Sequence, residues 1–170
     1  MTASLTLHDR QCGDCSLCCK LLPIRASDDK TDAFPFDKPP GEWCKHCMPG
    51  QGCKVWNTGL PRLCQNYACM WKKGLLPENC KPNKIHAIFD EHVTEGIPYA
   101  LAMPDLSYPE HPAIRQLIAR RGNDARAMLR TATNLEILGA GATDEERKAD
   151  EKRLCEARNR IKATIADKGR

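Results

Sequence analysis

Ten of the 11 cysteines in this chain of 170 residues fall between Cys12 and Cys80, and four of them, Cys12, Cys15, Cys18 and Cys19, crowd into eight residues as C-x2-C-x2-C-C. Cysteines used as small buried apolar groups would not crowd four into eight residues. A two-residue gap lets a tight turn point two sulfurs at one ion, about 2.3 Å from each. A second group follows: Cys44, Cys47, Cys53, Cys64 and Cys69, with Cys80 a little further on. Four thiolates complete one tetrahedral site, whereas two full sites or one polynuclear site would take eight. An odd cysteine total weighs against a closed disulfide framework.

The compartment expected from the sequence agrees with free thiols. Met1 to Gln11 hold no apolar run between a basic start and a small-residue cleavage site, so no secretory signal is read there. No stretch of 18 apolar residues is present, which argues against a membrane-spanning helix. A cytoplasmic protein is expected, and in that compartment dense cysteines bind metal or do redox chemistry more often than they form bridges.

Composition divides near Lys84. Residues 1–84 hold eight of the 12 prolines and a charge of +4, from 12 basic against 8 acidic residues, while residues 85–170 carry 14 of each. With only 2 Val and 5% aromatic residues, the chain is poorly suited to a large sandwich or a buried parallel sheet. We expect one cooperative α+β domain, with a cysteine-rich, metal-stabilised half (1–84) and a helix and strand scaffold (85–170). Ligation would supply ordering free energy that Pro-rich loops lack.

Local patterns place the elements. Asp9 to Leu22 allows one or two helical turns before Pro23. Pro49-Gly50 predicts a turn between Cys47 and Cys53, and Pro61 opens a helix carrying Leu63, Cys64, Tyr67 and Trp71, to stop near Gly74. Ile85 to Phe89 and Ile97 to Met103 read as strands paired across Glu95-Gly96. Pro112 starts a helix with Ile114, Leu117 and Ile118 on its buried stripe and Gly122 as its stop. Asp124 to Arg130 and Asn134 to Leu138 are compatible with either strand or helix. A capping box at Thr143-Asp144-Glu145-Glu146 predicts a long final helix with Cys155 as a free thiol.

These motifs resemble a family of small bacterial zinc- or iron-chelating proteins named for the C-x2-C-x2-C-C motif, the YkgJ-like proteins. The family pattern continues with a cysteine, then C-x-Ile-Tyr, Arg-Pro-x2-C and an aromatic-x-C-x-Trp. Here stand Cys44, Cys53-Lys54-Val55-Trp56, Leu60-Pro61-Arg62-Leu63-Cys64 and Tyr67-Ala68-Cys69-Met70-Trp71. The resemblance covers roughly residues 10–75. It implies metal ligation by Cys12, Cys15, Cys18, Cys19, Cys44, Cys53, Cys64 and Cys69, leaving Cys47 and Cys80 outside the set. Leu60 and Trp56 depart from the usual Arg and Tyr. Flagellin lysine methylases carry a similar domain thought to hold an iron-sulfur cluster, so the implied cofactor is zinc or an iron-sulfur cluster.

Three functions compete at this stage. One is a metal-binding protein without catalysis of its own. Another is an iron-sulfur-dependent enzyme or accessory subunit for redox or methyl transfer, although Gly139-Ala140-Gly141 reads as a loop and not as a nucleotide cradle. The last is a zinc-stabilised adaptor. A net charge of only +4 makes nucleic acid the less favoured partner and a protein the more favoured. His46 and His8 are read as groups around the site, not as ligands. Trp43, Trp56 and Trp71, each within three residues of a cysteine, are expected to shield it from water.

Overall fold

A computed structural model describes residues 10–24, 36–56, 58–94, 97–124, 126–130 and 135–138, together with the separate positions 143, 145, 148, 149, 152 and 156. The fold is α+β. In chain order the elements are α1 (Cys18–Leu21), β1 (Cys47–Met48), β2 (Gly52–Cys53), α2 (Arg62–Asn66), α3 (Pro82–Ile85), β3 (Ala87–Thr94), β4 (Ile97–Pro104), α4 (Pro112–Asp124), β5 (Arg126–Arg130) and β6 (Leu135–Leu138). The final helix expected from Thr143, with Cys155 on it, lies outside the described residues apart from those isolated positions.

By proximity the chain gathers into two units. One comprises Met1–Asp90 with Met103–Ile114, the other Glu91–Ala102 with Arg115–Arg170. The first contains every described cysteine and is held together by loops, single turns and the short antiparallel pair β1 and β2. Its Pro49-Gly50 turn forms as predicted. Gln51 N–H donates to the Met48 carbonyl at 2.8 Å, and Gly50 sits at φ +77°, the left-handed value that a type II turn demands after proline.

A four-stranded mixed sheet, ordered β3-β4-β5-β6, runs through the chain. As expected, β3 and β4 are paired neighbours in this sheet, while the Glu95-Gly96 turn lies outside the described residues and Ile85 ends α3 instead of opening the strand. His86 takes the left-handed conformation (φ 52°) that stops α3, and the chain leaves it as β3. The two ambiguous segments are strands: β5 pairs parallel to β4 with Ala100 opposite Ala127, and β6 pairs antiparallel to β5 with Ile137 opposite Met128. Between β4 and β5 runs α4, giving the crossover that a parallel pair needs.

The strands are Ala- and Met-rich in place of Val-rich. Ala87, Ala102, Ala127, Met128 and Leu129 are all fully buried, so sheet pairing overrides the weak strand preference of alanine. In α4 the expected stripe is buried, at Ile114, Leu117 and Ile118, and the helix continues past Gly122 to Asp124.

Candidate metal centre

Two of the C-x2-C pairs, Cys12/Cys15 and Cys44/Cys47, close as hydrogen-bonded turns. Cys15 N–H donates to the Cys12 carbonyl and Cys47 N–H to the Cys44 carbonyl, both at 2.9 Å. Gly13, at φ +55°, occupies the first turn at a conformation that side-chain-bearing residues avoid. The chain then enters α1, one turn long, which carries Cys18 and Cys19 and ends before Pro23 as expected. Cys44 is delivered to α1 directly, its N–H donating to the Cys19 carbonyl at 3.0 Å. Across the hairpin Cys53 stands opposite Cys47, Cys64 lies on α2, and Cys69 follows in the loop after it. The ten described cysteines are all free thiols.

Two sets of interactions meet at α1, joined by the Cys19 thiol, which hydrogen-bonds to Cys18 and to Cys47. In one, Cys12, Cys15, Cys18 and Cys69 interact electrostatically. In the other, Cys44 and Ile24 form a small apolar core against which Cys19, Cys47, Cys64, Phe36 and Val55 pack. Burial raises the Cys12, Cys15 and Cys47 thiols, and pushes Cys69 up to about 11 with further repulsion from Cys12, Cys15 and Cys18. Cys18 differs. A hydrogen bond from the Cys19 thiol, outweighing burial, lowers it to about 7, and the same bond drives Cys19 strongly upward. Backbone N–H groups favour the thiolate forms as well, those of Leu17 and Asn83 at Cys15 and that of Lys72 at Cys69. Such N–H···S bonds are how a protein holds and tunes thiolate ligands.

Positive charge accompanies the sulfurs. Lys72 and Lys81 act on Cys12. Sequence reasoning did not single out Lys38, which is only 4% exposed. Its ammonium donates to the carbonyls of Lys20 (3.0 Å), Pro39 (3.1 Å) and Glu42 (2.8 Å). Burial lowers its pKa, while Cys44 and Cys19 act to hold the proton on. No local signal marks Lys38, because its burial comes from the Ile24 to Lys38 bridge between distant segments.

Side-chain straps fix the loops. Arg10 Nη1 donates to the Trp71 and Leu76 carbonyls at 3.0 and 2.7 Å, and its Nε pairs with Glu78 at 3.0 Å. Asp14 takes hydrogen bonds from Lys81 and from Asn83 Nδ2, the latter at 2.8 Å. Lys20 Nζ reaches both carboxylate oxygens of Asp105, at 2.9 and 2.7 Å, and so ties α1 to the turn after β4.

Several expectations need correction. The helix opened by Pro61 ends at Asn66, not near Gly74, because Tyr67 is extended and the following loop docks on β3 through Met70 N–H to the Phe89 carbonyl at 2.9 Å. Leu63 is therefore exposed, and Trp71 is buried in a turn and not on a helix face. Of the three tryptophans only Trp71 is shielded; Trp43 and Trp56 are 44% and 58% exposed. His46 lies against Phe36, with ring centroids 5.7 Å apart. His8 lies outside the described residues. Cys80 is buried beside Asn79.

Among the described residues, no three His, Cys, Asp or Glu side chains form a group arranged to hold a metal ion. Thiolates as a class favour thiophilic ions such as zinc, held by four sulfurs at about 2.3 Å. No family model, curated protein or solved structure matches the chain. None of the described helices is long and apolar enough to cross a membrane.

Proposed function

We propose that the first unit is a thiolate metal centre, binding zinc or an iron-sulfur cluster, and that metal binding is the protein's function. The observation that supports this most is that the described thiols are uncrosslinked and that Cys19 of α1, Cys47 and Cys64, from three separate stretches, pack against Cys44 and Ile24. Buried thiols that repel one another's anions keep their protons until a cation compensates the charge. The lysines and N–H donors beside them supply part of that compensation. The resemblance to chelating C-x2-C-x2-C-C proteins points the same way, and the free thiols fit a reducing, cytoplasmic setting.

The chemistry of such a centre is ordering of the surrounding loops, with thiol protons displaced to solvent as the ion binds. A cluster would add electron transfer, and the hydrogen bonds at Cys15 and Cys69 would then tune its potential. Anaerobic purification followed by elemental analysis tests the proposal. Stoichiometric zinc in a colourless protein, or iron and sulfide in a brown one, supports it. A folded, fully reduced protein that takes up neither zinc nor iron refutes it.

A further inference from the structure

We propose that Cys47 and Cys53, facing each other across the hairpin of β1 and β2, are a redox couple that closes to a disulfide under hydrogen peroxide and reopens with a thiol reductant. The step needs no metal ion, so it goes beyond the metal-binding proposal and stands or falls apart from it.

Backbone register carries the pairing. Cys47 stands directly opposite Cys53, and Met48 opposite Gly52, in an antiparallel pair. The neighbouring ladder bond runs from Lys54 N–H to the His46 carbonyl at 2.9 Å, one residue outward on each strand. Cys47 and Cys53 are therefore a non-hydrogen-bonded pair, the closer of the two antiparallel spacings, with α-carbons about 4.5 Å apart and both side chains on one face. A disulfide needs α-carbons about 4.4 to 6.8 Å apart and β-carbons directed at each other. The hairpin meets that need without moving its backbone. Its turn is fixed as well: Gln51 N–H donates to the Met48 carbonyl at 2.8 Å, and Gly50 N–H donates to Ser16 Oγ at 3.2 Å, which pins the tip to the segment before α1.

Both thiols are free and half-buried, within reach of a small oxidant and of a thiol reductant. Each strand is only two residues long, so the ladder by itself holds the hairpin weakly and a covalent bond across it matters. Accessible disulfides of this kind are the labile, redox-sensing ones. The chemistry balances with peroxide alone. One thiolate attacks a peroxide oxygen, the O–O bond breaks, and the sulfur becomes a sulfenic acid while the departing hydroxide takes the thiol proton to form water. The second thiol attacks that sulfur, the S–S bond forms, the S–O bond breaks, and a second water leaves with the remaining proton. Two electrons pass from the sulfurs to the peroxide. Cys19 is the rival partner, because it packs with Cys47 against Cys44 and Ile24.

Trypsin cuts after Lys45 and Lys54, so residues 46–54 leave as one peptide holding Cys47, Cys53 and no other cysteine. The full chain, purified under reductant and then freed of it, is treated with hydrogen peroxide with and without a chelator, blocked with N-ethylmaleimide and mapped without reduction. In at least one arm the 46–54 peptide should appear two hydrogens lighter and unblocked, and dithiothreitol should restore both blockable thiols. Closure should be at least about tenfold faster than in the chain unfolded in urea, because the hairpin presets the encounter. Cys47→Ser and Cys53→Ser should each abolish the lighter peptide; if either fails to fold, the wild-type comparison with urea decides by itself. A crosslink from 46–54 to the peptide 11–20, which carries Cys19, or to the peptide carrying Cys44, would overturn the pairing. Equal rates in the folded and unfolded chain, or no lighter peptide in either arm, would overturn it as well. Elemental analysis of the untreated protein reads the metal-binding proposal separately.

Discussion

Lys20 and Asp105 form an ion pair whose removal should be costly in an asymmetric way. Their side chains are 13% and 4% exposed, and the carboxylate receives both Lys20 contacts along with Ser107 N–H at 3.1 Å. Breaking one partner of a buried pair costs about 3 to 5 kcal/mol, because the other charge is left desolvated without compensation. Lys20→Met strands the more deeply buried charge, so it belongs near the upper end. Asp105→Asn leaves an ammonium that still has the Ser107 hydroxyl at 3.1 Å and the rings of Trp43 and Tyr108 within 5.7 and 5.9 Å, so it belongs near the lower end.

Acid sensitivity follows from the same contacts. Burial alone would raise the Asp105 pKa, but the Lys20 and Ser107 hydrogen bonds outweigh it and hold the carboxyl below its usual range. A depressed folded-state pKa contributes stability that is fully present above the unfolded value of about 3.9 and is lost as pH falls through the folded value. The gap between wild type and Asp105→Asn should therefore be constant from neutral pH down to about 5 and shrink below about 4. Urea unfolding of the wild type, Lys20→Met, Asp105→Asn and the double variant across this pH range measures both effects. A loss under about 0.5 kcal/mol for each single variant, the range of ordinary surface changes, would refute the reasoning.

Other outcomes follow from the same structure. Lys38→Met removes donors from three carbonyls and should cost about 1 to 3 kcal/mol, whereas Lys84→Met on the surface should stay within about 0.5 kcal/mol; thermal unfolding distinguishes them. Phe89→Ala, at a fully buried position on β3, should cost about 3 to 5 kcal/mol by leaving a cavity. In the reduced, metal-free protein, alkylation of Cys18 by iodoacetamide should reach half its maximal rate near its pKa of about 7, while Cys69, pushed up to about 11, should react slowly until strongly alkaline pH. Peptide mapping across a pH series checks that order, and equal profiles for the two would contradict it.

Sequence alone determined what is local. The two-residue cysteine gaps, the Pro49-Gly50 turn, the end of α1 before Pro23 and the buried stripe of α4 all follow from stereochemistry within a few residues, and they appear where the pattern places them. Tertiary structure decided the rest, through bonds between residues far apart in the chain. The Met70 to Phe89 hydrogen bond draws the chain away from helix after Asn66, and pairing with β4 makes a strand of the alanine-bearing segment at Ala127. A lysine at position 38 reads as a surface charge until Ile24 pairs with it and three carbonyls close on its ammonium. The motif resemblance favours Cys53 over Cys47, whereas in the fold it is Cys47 that packs with Cys19 against Cys44 and Ile24, with Cys53 opposite it across the hairpin.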